Sequence, residues 1–167
     1  MLNKDLCSAI ILYNSCIFST FKGGISLITG ISHITFVVKD LDKTTELFKE
    51  LFNAEEVYHS GEKQFSISRE RFFLIGGQWI AVMQNDTIVN RTYHHIAFKI
   101  EDSQIENYLN KIKELKLELK PPRERVEGEG YSIYFYDYDN NLFELHTGTL
   151  EQRLLSYKKL TNNEETI

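Results

Sequence analysis

Apolar positions recur along this chain with two different periods. Phe36, Val37 and Val38 form a short strand-like run, and past the turn at Asp40 and Asp42 the residues Leu47, Phe48, Leu51 and Phe52 return at helical spacing. Farther on, Ile105, Tyr108, Leu109, Ile112 and Leu115 make a second stripe at i, i+3, i+4, i+7 and i+10, which predicts a second amphipathic helix. Strand-like runs follow each helix. They are Glu55–His59, Gln64–Ser68 and Phe72–Met83 in the first half, and Leu117–Lys120, Ser132–Tyr136 and Leu142–His146 in the second. Gly61, Gly76-Gly77 and the hairpin-type turn Asp137-Tyr138-Asp139-Asn140-Asn141 punctuate them.

The two halves are copies of one unit. Ser32-His33-Ile34-Thr35-Phe36-Val37-Val38-Lys39-Asp40 aligns without gaps on His94-His95-Ile96-Ala97-Phe98-Lys99-Ile100-Glu101-Asp102, 62 positions later. Each copy reads as a βαβββ module of about 60 residues, too small to bury its sheet face alone, so the two should pair in an α+β fold. The modules span about residues 27–88 and 89–148, with a last helix expected at 150–159 and a polar, disordered tail at 160–167. Lys120–Gly130, with Pro121, Pro122, Gly128, Gly130 and many charges, reads as a surface loop of the kind that carries binding groups.

Composition narrows the chemistry. With 42% apolar and 26% charged residues in 167, the chain is an ordinary globular protein. Both cysteines, Cys7 and Cys16, lie in the first 16 positions, so the body has no disulfide framework, thiolate ligand or cysteine nucleophile. A formal net charge of −5 argues against a general nucleic-acid or membrane-surface binder. No stretch reaches the roughly 20 apolar residues of a membrane span. The run from Leu6 to Phe21 loosely resembles a secretory signal, but Asn14, Ser15, Ser19 and Thr20 interrupt it and Asp5 weakens its basic start. Residues 1–26 are read as an extension outside the catalytic domain, one that a start near Ile25–Ile28 on a non-AUG codon would leave out.

Of the five histidines, His33, His59, His94, His95 and His146, the repeat singles out two. A strand histidine taken alone is usually structural, but His33 and His95 hold the same place in both copies, and strand alternation turns His95 to the opposite face from His94. Glu144, between Phe143 and Leu145, is costly in an apolar strand unless it is paired or metal-bound. Two imidazoles and a carboxylate without sulfur suit Mn²⁺, Fe²⁺, Ni²⁺ or Zn²⁺ and leave coordination positions open.

Four ordered motifs go beyond this. Gly30-Ile31-Ser32-His33-Ile34-Thr35-Phe36, Arg91-Thr92-Tyr93-His94-His95-Ile96-Ala97-Phe98, Gly128-Glu129-Gly130-Tyr131-Ser132-Ile133-Tyr134-Phe135 and the stretch from Leu142 to Leu154 together resemble the fosfomycin resistance proteins of the vicinal oxygen chelate superfamily. The likeness is to the FosX type, the manganese-dependent fosfomycin epoxide hydrolases, and runs from about Leu27 to about Lys159. It implies paired βαβββ modules, a cytoplasmic homodimer with each site completed across subunits, and Mn²⁺ held by His33, His95 and Glu144. It further implies Glu70 as the general base that activates water, and Thr35, Ser132, Tyr134 and Arg153 as substrate contacts, with Arg125 as a candidate contact in a loop whose register against the family is open. Alternation sends Glu70 to the opposite face from Arg69 and Arg71, so it can point inward while the arginines point outward. A thiol transferase adding bacillithiol, cysteine or glutathione to fosfomycin is the nearest rival, opposed by Glu70. A non-catalytic drug-binding protein of this fold is the other, opposed by the three metal-ligand residues.

Overall fold

The computed structural model describes residues 28–64, 66–86 and 90–164; the extension 1–26, Phe65 of the expected strand Gln64–Ser68, the module boundary near residue 88, and the last three residues lie outside the described residues. The chain divides into two units, Met1–Gly30 and Ile31–Ile167, and all the elements below belong to the second. Its first half contains β1 (His33–Val38), α1 (Leu41–Phe52), β2 (Glu55–His59), β3 (Glu70–Ile75) and β4 (Gln78–Gln84). The second contains β5 (His95–Lys99), a single 3-10 turn at Asp102–Gln104, α2 (Ile105–Glu114), β6 (Glu118–Lys120), β7 (Ser132–Tyr136), β8 (Leu142–His146) and α3 (Leu150–Glu164).

Local chemistry sets these boundaries. Asp40 caps α1, its carboxylate accepting from Asp42 N at 2.9 Å and Lys43 N at 3.0 Å, and Asn53 ends the helix in the left-handed conformation. Gly76 and Gly77, both at positive φ, make the two-residue turn that separates β3 from β4. Asp137 accepts from Asp139 N and Asn141 N, each at 2.8 Å, and so closes the hairpin between β7 and β8.

Three expectations need correcting. Among its described residues, Gln64–Ser68 is not a strand. Its alternation suits one, but the strand that pairs with β2, from Glu55 opposite Leu74 to His59 opposite Arg71, is β3, and Gln64 Nε2 instead bonds Ile67 O at 2.7 Å. The last helix continues to Glu164 instead of stopping at Lys159, because no proline or glycine interrupts it, and Thr161 Oγ1 bonds back to Lys158 O at 3.1 Å. Finally, the loop after β6 is not simply superficial, since Glu129 within it is completely buried.

The repeat reappears as topology. The sheets have strand orders β1-β4-β3-β2 and β5-β8-β7-β6, each with one parallel pair at the edge and two antiparallel pairs. Their inner faces and the apolar sides of α1 and α2 share one core. Phe48 of α1, fully buried, stands at its centre, with ring centroids 5.3 Å from Phe73 of the first sheet and 6.1 Å from Phe143 of the second. Phe36 and Phe143 meet directly at 4.9 Å. Since Ile34, Phe36 and Val38 face this core, His33 and Thr35 must face away from it, and the same period turns His95 and Ala97 away from the core on β5.

Phe48→Ala tests this shared interior. It should cost about 3–5 kcal/mol in urea unfolding and shift one cooperative transition, whereas a loss of under 1 kcal/mol or two separate transitions would mean that the sheets do not share a core.

Candidate active site

The outer face of the second sheet is assembled by register. Ala97, Glu144 and Tyr134 lie side by side across β5, β8 and β7, with His95 beside Leu142 on one flank and Ser132 beside His146 on the other. Glu144 is only 4% exposed. One of its oxygens, Oε2, lies 2.9 Å from His95 Nε2, and the other, Oε1, accepts a hydrogen bond from Ser132.

The proton on His95 decides what that pair can do. Its Nδ1 is 2.7 Å from the carbonyl oxygen of Tyr93, which can only accept, so Nδ1 carries a hydrogen. Nε2 faces the carboxylate oxygen at 2.9 Å: with a proton it makes an ion pair with Glu144, and without one it is a bare acceptor that a cation lying against both atoms would bridge. Two metal bonds of about 2.1 Å at right angles put their donor atoms about 3 Å apart. The pair therefore fits two neighbouring ligands of a divalent ion. A backbone carbonyl holding the far ring nitrogen is the usual way such an imidazole is oriented.

The carboxylate is kept charged. Burial pushes its pKa upward, but the hydrogen bonds from Ser132 and Tyr134 and the nearby His95 and His146 outweigh that and leave it lowered. The same burial, with Tyr93 and Glu144 adding, pushes Tyr134 up to about 12, so its hydroxyl stays a donor. Ser132 Oγ, having given its hydrogen to Glu144, can accept from His146 Nδ1 at 2.7 Å.

A cationic wall completes this face. Arg125 Nη2 approaches Tyr134 Oη at 3.4 Å and Glu144 Oε1 at 3.5 Å, both long contacts, while its Nη1 is buried without a hydrogen-bond partner. Arg153, in the first turns of α3, is partly buried and close enough to His146 that its charge, after burial and alongside that of Arg125, helps to lower the pKa of that imidazole.

The remaining expected residues belong to the other sheet. His33 and Thr35 lie on the outer face of β1, in register with Trp79 and Ala81, and the His33 ring packs 4.3 Å from the Trp79 indole. Glu70 shares that face through Met83 and Val37, and is 8% exposed. Arg71 does turn the opposite way, but toward α1 instead of solvent, where it bonds Thr45 Oγ1 at 2.7 Å and pairs with Asp42. Among the described residues no three His, Cys, Asp or Glu side chains form a group that could hold a metal ion, so the three expected ligands do not meet within one chain. The structure thus gathers His95, Glu144, Ser132, Tyr134 and Arg125 on one sheet and His33, Thr35 and Glu70 on the other. Sequence reasoning passed over His146, although its place two residues after Glu144 on a strand puts it on the same face.

The family model described as the Glyoxalase/Bleomycin resistance protein/Dioxygenase superfamily matches residues 30–145. Over 131 residues the chain is 58% identical to fosfomycin resistance protein FosX from Listeria monocytogenes, an alignment covering 78% of this chain and 98% of that protein. The chain belongs to the FosX-type fosfomycin resistance proteins of this superfamily. A crystal structure of a FosX variant from Listeria monocytogenes, complexed with Mn(II) and 1S,2S-dihydroxypropylphosphonic acid, matches with a TM-score of 0.73 and 59% identity over 77% of this chain and 98% of that one. Metallothiol transferase FosB from Shouchella clausii is more distant, at 40% identity over 80% of this chain and 90% of that protein. The two sheets and their helices match the FosX architecture.

For this FosX-type chain the acceptor pair makes a testable demand. Glu144→Ala should weaken Mn²⁺ binding, followed by the paramagnetic resonance of the free ion, by more than about a hundredfold, and Ser132→Ala by about tenfold. Unchanged affinity in the Glu144 variant would remove that carboxylate from the metal site.

Proposed function

We propose that this chain is a Mn²⁺-dependent hydrolase that adds water to the oxirane of fosfomycin in the cytoplasm, giving the diol and inactivating the antibiotic. The observation that carries the reading is the juxtaposition on one sheet face of the His95 Nε2–Glu144 Oε2 pair, 2.9 Å apart, and a buried guanidinium nitrogen without a partner. The first can hold a cation between its two atoms and the second calls for an anion beside it, and a metal-bound phosphonate provides both. The diol phosphonate held by the FosX relative is the water adduct of such an epoxide, which supports water over a thiol as the nucleophile.

His95 and Glu144 hold the metal from one subunit, and His33 of the partner subunit completes the set in a homodimer. This division is supported by the placement of the residues on outer faces of different sheets, since a face that presents Trp79, Phe72 and Tyr58 is one that a second copy covers. When bound, Mn²⁺ supplies Lewis acidity at the epoxide oxygen.

The protein groups supply the rest. Glu70 accepts a proton from water as the water oxygen bonds to a ring carbon, the ring C–O bond breaks, and the released oxygen regains a proton, so that one water is added overall. Arg125 and Arg153 neutralise the phosphonate, and the hydroxyls of Ser132 and Tyr134 orient the site from the same strand. Thr35, two residues along β1 from His33, faces the substrate oxygen.

Incubation with Mn²⁺ and no thiol should raise the mass of fosfomycin by one water, with Glu70→Gln still binding Mn²⁺ and fosfomycin while losing at least about a thousandfold in kcat. A product formed only when a thiol is added, or near-normal turnover by the Glu70 variant, would overturn this assignment.

A further inference from the structure

The loop joining β6 to β7 is dense in charge, with Arg123, Glu124, Arg125, Glu127 and Glu129, and such a segment is ordinarily solvated. Glu129 departs from that rule, with no exposed surface at all. Its carboxylate takes a two-pronged ion pair from Arg123, at 3.0 Å and 3.2 Å, and the backbone N–H of Val126 at 3.2 Å. The hydroxyl of Tyr157 donates to it from α3. Glu129 N returns a bond to Val126 O at 3.1 Å, so the loop is closed on itself as well as fastened to the helix.

Arg125 stands in the chain between the two residues that Glu129 grips, Arg123 and Val126. It is also the residue whose guanidinium reaches Tyr134 and Glu144 and leaves one buried nitrogen unpartnered. The contacts around the latch leave little room to shift. A Cβ on Gly130, at φ +80°, would come within 2.5 Å of Gly148 N, and one on Gly128, at φ +86°, within 2.4 Å of Ser156 Oγ on α3. Tyr131 N meanwhile bonds Thr147 Oγ1 at 3.0 Å.

We propose that Glu129 is a positioning residue for the anionic head of the substrate: by tying the loop to α3 through Tyr157, it holds the Arg125 guanidinium over Glu144 and Tyr134 in one frame with Arg153. The inference rests on reading this face as the phosphonate site. Buried charges are retained where they are fully paired, and this one satisfies its oxygens from a side chain, the backbone and a separate helix. The hydrogen bonds from Arg123 and Tyr157 bring its pKa down to about 2, so the latch stays charged across the working range of pH. Glu129 touches no reacting atom; it acts through Arg125.

A double-mutant cycle on the Mn²⁺-loaded full chain separates positioning from general support, with inorganic phosphate as the binding probe and fosfomycin as the substrate. Glu129→Gln should raise both KM for fosfomycin and Kd for phosphate about tenfold, Tyr157→Phe about threefold, with Mn²⁺ affinity held within about twofold. In an Arg125→Ala background either change should add less than about twofold. An equal rise in both backgrounds, or no rise in either single variant, would overturn the proposal. If Glu129→Gln does not fold, the Tyr157→Phe cycle carries the same test. Phosphate binding that follows the cycle without fosfomycin turnover would sink the hydrolase reading and leave the latch standing, whereas wild type that binds no phosphate would overturn both.

Discussion

Phe48 packs against Phe36 and Phe73 from the first sheet and Phe143 from the second, so the inner faces of both sheets are committed to one apolar interior. A strand has two faces, and once one is spent on the core the other must carry whatever chemistry the chain performs. His33 and Glu70 are thereby confined to the outside of one sheet, and His95 and Glu144 to the outside of the other. The repeat that makes the fold economical also divides the residues expected at the site between the outer faces of two sheets.

Much of this could be read from the sequence because it depends on periods. The gapless match of the segments around His33 and His95 foretold two modules of one topology, and alternation set Glu70 and Arg71 on opposite faces of their strand. What depends on tertiary competition was less legible. Gln64–Ser68 has the pattern of a strand, yet the partner that β2 takes is β3, Glu70–Ile75. The polar residues after Lys159 continue α3 because helix formation there needs only the absence of breakers. Glu129, in a loop full of charge, gave no signal of burial, because a carboxylate becomes a core residue only when the loop folds Arg123 onto it and Tyr157 arrives from α3.

The electrostatics of the second sheet face set local cations against the net charge of −5 that the whole chain carries. The local field is set by Arg125 and Arg153 at short range, while Glu144 is occupied by Ser132 and Tyr134 on one side and faces His95 on the other. Distant surface carboxylates are screened over roughly 8–10 Å of solution and matter little to that pocket. Similarity to FosX proteins and the arrangement of acceptors and cations thus support the same chemistry from independent directions.

The central claim is that a working centre joins His33 and Glu70 of one subunit to His95 and Glu144 of another. Mixing the separately inactive Glu70→Gln and Glu144→Ala proteins and letting their subunits exchange tests it most directly. Each mixed dimer then holds one site with all its groups intact, so random exchange should restore about a quarter of wild-type fosfomycin hydration. A mixture that stays inactive after exchange has been demonstrated would contradict the shared site.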